Sequence, residues 1–547
     1  MKIAFGVAGL SMALLATGCF EQTGGARSYK GPLFHYHFAG RAHLPAGTNA
    51  ARFKEIDALP ATAELRGALA QKLAAAALPF WRKELPAGAT DQAALLRPLV
   101  DDFLVAEAFV EVRGAVGRTD TALAIELSDD RAQLWSNNLK QLATAWKLGA
   151  SRDIAADGFK GWEVKRSQAP DTLQFFRAGK WVVLGLGHER LTQLPLLLAE
   201  AKKSGRPVAA LKNEFLDLAA DLPGLRTWFP FFAKWPLPPV VATMSGRGEA
   251  VRTEVRLQYS GRIPWKPEPW KIPTNVISEP LTSFTIAQGI GPWLGQIKGI
   301  SDLGLNPLPN QFCAWGINHE QCRMYFAAPV SDATNSMQRL APHIARFVKS
   351  ALTNALGEFV YVTNKFEVVW SGLPWLIPIL QAETDGRNQY LMGGLFPLPA
   401  RHVPPPEELL GQFRGRTNLL YYDWEITEPR LIHAKQFYQL ASIFDSRRTL
   451  STNLPSQRWL LAVGPKLGNT ATEITQTGPQ ELVLVRRSHL GLTGFELATF
   501  SIWLESPGFP FGFELPPPSL HFRTNAVPPA ASPPPAKSNA HAPANKR

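Results

Sequence analysis

The chain has 547 residues but only three cysteines, and after its first nineteen residues it has no long apolar run. So few cysteines exclude a disulfide-dense scaffold and a four-cysteine zinc cluster. The missing second apolar stretch excludes a bundle of membrane-spanning helices, since one span needs about 20 apolar residues. The apolar segment at 372–380 is short and is broken by Pro374 and Pro378. Charged residues make up 19% and hydrophobic residues 45%, which excludes a disordered chain and fits one that folds around a core. Catalytic signature loops are missing as well. No Walker A loop, H-E-x-x-H helix or G-x-S-x-G elbow occurs. Gly185-Leu186-Gly187 has Arg190 where a dinucleotide fingerprint needs its third glycine. No cofactor is expected.

What is present begins at the N-terminus. Lys2 precedes the apolar residues 3–15, and small residues lead to Cys19. That is the layout of a secretory signal over 1–18. Leu15-Ala16-Thr17-Gly18-Cys19 resembles the lipobox of bacterial lipoproteins, with Ala16 where leucine is usual. The resemblance implies that Cys19 carries acyl chains of the palmitate kind, becomes the new N-terminus, and anchors the protein without crossing the membrane. Phe20 is not the aspartate that retains some lipoproteins at the inner membrane, so the implied address is the outer membrane, facing the periplasm. The formal charge is +12, but the lysines and arginines are scattered and read as a solvated basic surface. The partners implied are the membrane, an envelope protein or an anionic glycan, and not nucleic acid.

With Cys19 assigned to lipid, Cys313 and Cys322 remain. The residues between them read as two strands turning near Ile317 and Asn318, which sets the two cysteines opposite each other. Opposed strand residues lie about 4.5–5.5 Å apart, within the reach of a disulfide. A Cys313–Cys322 bond is therefore expected in an oxidising compartment.

Residues 19–31 read as a polar tether, and 526–547, rich in proline and alanine, as a disordered tail. Four prolines within 263–273 mark a linker, 263–280, between modules at 32–262 and 281–525. The predicted fold class is α+β: two related modules of mostly antiparallel sheet, with helices packed on one side. Helical spacing of Trp135, Leu139, Leu142 and Trp146 predicts a helix over 129–147. Further helices are read at 61–78, 191–203 and 214–221. The order strand 182–186 then 194–198 is echoed by 368–372 then 377–380, which suggests an internal duplication. The succession over 100–260 resembles a group of uncharacterised bacterial envelope proteins, a resemblance that implies a fold and no activity.

Three features bear on chemistry. His35, His37 and His43 fall on one face of a strand by period two, and His35 and His37 can share a metal ion. Arg41 on that face repels a cation, and the plainer reading is the polar face of an amphipathic strand. In Tyr421-Tyr422-Asp423-Trp424-Glu425, Asp423 and Glu425 point the same way, about 6.6–6.8 Å apart along a strand. That suits a pair of glycosidase carboxylates, though such strings are common by chance, and a strand leaving the core for a helix near Glu428 explains it as well. Sixteen tryptophans, several beside proline as at Trp265 and Trp270, either stack on glycan or pack at module edges. The expected role is non-enzymatic binding or assembly at the envelope. The alternatives are a glycan- or lipid-binding module using exposed tryptophans, and a hydrolase centred on Asp423 and Glu425.

Overall fold

The computed structural model describes residues 31–512 except 45–49, 82–91, 116–117, 166–170, 189–190, 227–237, 264, 266, 296–304, 318–322, 352–356, 374–375, 399–401, 446–452 and 511. The signal, Cys19, Cys322 and the C-terminal tail lie outside the described residues. Among the described residues no helix is long and apolar enough to cross a membrane.

Among the described residues twenty strands form one antiparallel sheet. The first ten are β1 (Phe34–Phe38), β2 (Ala108–Ala115), β3 (Arg118–Glu126), β4 (Ser151–Ala156), β5 (Phe159–Lys165), β6 (Asp171–Ala178), β7 (Trp181–His188), β8 (Glu214–Ala220), β9 (Val240–Arg247) and β10 (Ala250–Gln258). The second ten are β11 (Leu281–Gln288), β12 (Gln311–Ile317), β13 (Arg323–Val330), β14 (Glu358–Val362), β15 (Glu367–Ser371), β16 (Ile379–Asp385), β17 (Asn388–Gly394), β18 (Leu419–Ile426), β19 (Asn469–Gly478) and β20 (Glu481–Ser488). Across the first half the order is β4-β5-β6-β7-β3-β2-β1-β8-β9-β10. β10 then pairs with β20, and the order continues β20-β19-β18-β11-β12-β13-β17-β16-β15-β14. Every pairing within the first ten strands thus recurs ten strands later.

Helices cover both faces of the first half, a correction to the one-sided expectation. Among the described residues the longer helices are α1 (Ala51–Asp57), α2 (Pro60–Trp81), α3 (Gln92–Phe103), α4 (Asp129–Ala145), α5 (Gln193–Ser204), α6 (Ala333–Ala351), α7 (Thr427–Asp445), α8 (Pro455–Val463) and α9 (Gly494–Glu505). Val182 of β7 joins the core under α4 with Trp135, whereas its neighbour Val183 joins the core under α5 with Leu194 and Leu198. Successive strand residues face opposite ways, so consecutive apolar residues here mean two covered faces. Gly185 serves the same packing, since a Cβ there would sit 2.7 Å from Leu191 and 2.9 Å from Leu194. Elsewhere Leu65 and Leu69 of α2 pack with Trp459, Leu497 and Phe500 of α8 and α9, so the N-terminal helices close on the C-terminal ones.

Other expectations need correction too. Residues 214–220 form β8, not a helix; Phe215, Leu216 and Leu218 pack in the core between β1 and β9. Residues 379–385 form β16, so the echo of 194–198 by 377–380 does not hold; by pairing order β7 corresponds to β17. In β12 and β13, Cys313 faces Ala327 and Ile317 faces Arg323. The register therefore differs from the one expected, and it stacks Trp315 on Tyr325 at 5.7 Å between centroids. Cys313 is buried, and burial pushes its thiol pKa up.

The proline-rich segment at 263–280 is pinned to the core. Ile263 and Ile277 are buried, and Trp270 packs edge-on against Phe413 at 6.5 Å. The Lys271 amide donates to Gln311 Oε1 at 2.9 Å. Trypsin under native conditions should consequently spare the exposed Lys271 until the protein unfolds; early cleavage after Lys271 would show a free linker instead.

Candidate functional site

β18 lies between β11 and β19, and its alternation puts Tyr421, Asp423 and Glu425 on one face. The register sets Asp423 beside Thr285 of β11 and Thr472 of β19, and Thr472 faces Arg486 of β20. β18 runs directly into α7, whose first turn carries Glu428, Pro429 and Arg430, as helix starts favour acids and proline. The start of α9 closes over the same face. Thr493 and Glu496 form a capping box, with the Glu496 amide donating to Thr493 Oγ1 at 3.2 Å and the Thr493 amide donating to Glu496 Oε2 at 2.8 Å. Gly494 lets α9 approach α7, since a Cβ there would meet the Leu431 amide nitrogen at 2.5 Å.

Five charged side chains meet beneath these two helix starts. Arg486 Nη1 and Nη2 donate to Glu496 Oε2 and Oε1 at 2.5 and 3.0 Å, a fork on a carboxylate. Its Nε donates to Thr472 Oγ1 at 2.9 Å and Nη1 also to the Gly491 carbonyl at 3.0 Å. Thr285 Oγ1 donates to Asp423 Oδ1 at 2.5 Å, and the Gly494 amide donates to Glu425 Oε1 at 2.7 Å. Arg430 donates to Ser283 Oγ at 2.8 Å; it stands 4.0 Å from Asp423 Oδ1 and 3.6 Å from Glu425 Oε2, which accepts no hydrogen bond among the described residues.

Three carboxylates against two guanidiniums leave one excess negative charge in the interior. A proton removes it. Burial, and then the charge of Asp423, push Glu425 up to about 8, and burial also raises Asp423 against the pull of Arg430. The pair therefore holds a proton at neutral pH. The cavity between Asp423, Glu425, Arg430 and Arg486 measures about 70 Å³. That is room for water, well under the roughly 300 Å³ at which small-molecule pockets begin.

The histidines do not share one face. β1 ends at Phe38, and Gly40, with φ of 84°, turns the chain into a 3-10 turn over Arg41–His43. His35 stands between Glu111 Oε2 at 3.3 Å and Asp217 Oδ2 at 3.6 Å. Burial pulls its pKa down, but those carboxylates overcome the effect and carry it up to about 9, so it is an imidazolium at neutral pH. His37 Nε2 lies 3.1 Å from Glu107 Oε1, which also accepts from Arg206 at 2.5 Å. Arg41 turns away to Asp57 at 2.5 Å. His43 is exposed and faces Glu107 and Glu126 instead. Trp265 and Trp270 pack against apolar clusters.

No protein-family model, curated protein or solved structure matches this chain.

Two outcomes follow from the buried charges. Arg486→Met leaves Glu496 without its fork and should cost about 3–5 kcal/mol in denaturant unfolding; a loss under 1 kcal/mol would mean the pair is not buried as described. Glu425 is expected to weaken the fold as pH rises, because its ordinary value of 4.5 is raised to about 8 on folding. The penalty is absent below the ordinary value, grows between the two, and is full above the raised one. Glu425→Gln should thus gain stability over the parent between pH 5 and pH 9, on the order of a few kcal/mol; a constant difference across that range would contradict the raised value.

Proposed function

We propose that this is a lipid-anchored envelope protein with a non-enzymatic role in binding or assembly, held through Cys19 with its folded part in the periplasm. The closed state of the Asp423–Glu425 site carries this reading over a hydrolase. Each carboxylate is engaged by neighbours of the fold, and the space between them admits water but not a sugar ring. The packing of Trp265 and Trp270 into apolar clusters likewise favours it over an aromatic platform for glycan.

The frame is further read as two related modules that arose by duplication. The recurrent pairing order supports this, and so does the register. His37, Asp217 and Thr243 stand side by side on β1, β8 and β9, as Thr285, Asp423 and Thr472 do on β11, β18 and β19. An aspartate occupies the corresponding place in each half.

The test is the intact mass of the mature N-terminal fragment from a Gram-negative host. A fragment that starts at Cys19 and carries acyl chains is expected. A fragment that keeps Met1, or starts elsewhere without lipid, would refute the anchor and the envelope assignment.

A further inference from the structure

The recess at one end of the first half has a different character from the closed site. It measures about 490 Å³, within the range of ligand pockets, and is open on one side. Three ligand-type side chains converge at it from separate elements: His43 from the turn after β1, Glu107 from the residue before β2, and Glu126 from the end of β3. One donor atom of each lies within 4.8 Å of the others. We propose that they form a binding site for a divalent cation of the zinc class, with the recess supplying solvent or a ligand to the open coordination position.

The supporting groups suit that task. His43 Nδ1 lies 3.1 Å from the Ala39 carbonyl, so Nδ1 is the protonated nitrogen and Nε2 keeps its lone pair. A metal-bound histidine characteristically donates its second ring nitrogen in this way. Glu107 is held by His37 and Arg206, both acting on Oε1, which leaves Oε2. Glu126 forms no ion pair among the described residues. Arg206 and Lys180 offset the two carboxylates, so the donor set, and not a net negative charge, would hold the cation. Lys180 and Asp129 also line the recess, and Asp129 is paired with Arg177. One imidazole with two carboxylates is a set that zinc accepts, whereas calcium and magnesium prefer oxygen alone. Three protein ligands and an open position match the accessible kind of zinc site.

The test is equilibrium dialysis of the full mature chain against zinc, with magnesium in parallel. The variants are His43→Asn and Glu126→Gln, both outside the Glu107–Arg206–His37 bonds. The parent should hold one equivalent of zinc that magnesium does not displace, and each variant should bind that equivalent at least about tenfold more weakly. His35→Asn, already paired to carboxylates elsewhere, should bind like the parent. Equal zinc binding by parent and Glu126→Gln, or no tight equivalent in the parent, would overturn the site.

Discussion

Charge placed under the C-terminal helices has to be cancelled where it lies, and much of the second half is arranged around that need. Ions this deep are tolerated only when opposite charge, hydrogen bonds or a proton meet them. Arg486 meets Glu496, and Glu496 in turn caps α9. Arg430, in the first turn of α7, lies over Asp423 and Glu425, and Glu425 takes the first free amide of α9. The positions of both helices are thereby tied to the row of polar residues across β11, β18, β19 and β20. Because α2 packs on α8 and α9, the N-terminal helices depend on the same arrangement.

The two halves of the sheet meet along β10 and β20, and the corresponding aspartates illustrate two solutions to one problem. Asp217 is partly exposed and pairs with the charged His35, while Asp423 is buried and relies on Thr285, Arg430 and a shared proton. A polar strand face can stay near solvent, or it can be covered once every charge has a partner. Covering it ties the carboxylates to structural partners, and that is the physical reason for reading them as part of the frame.

Much of the strand and helix pattern was legible because it is local. The stripe through Trp135 and Leu142 marks α4, and period two correctly set Asp423 and Glu425 on one face. The segment at 214–220 misled because a short apolar run reads equally well as helix or strand, and only its place between β1 and β9 decides. The cysteine hairpin misled because its register follows the Trp315–Tyr325 stack and not the symmetry of the string. Arg430 and Arg486 carry no sequence signal that ties them to Asp423, since strand pairing brings them together. Thr493-x-x-Glu496 is a capping-box pattern that could have marked the start of α9. His43 joined Glu107 and Glu126 only because Gly40 turns the chain out of β1.

The Asp423–Glu425 pair keeps one proton at neutral pH to balance the buried charges. Carboxyl carbon NMR of protein labelled at glutamate and aspartate reads this directly, with Glu425→Gln to assign the signal. The expected result is one glutamate carboxyl that is protonated at pH 7, titrates near 8 and disappears in the variant. Full ionisation of Glu425 by pH 6 would contradict it.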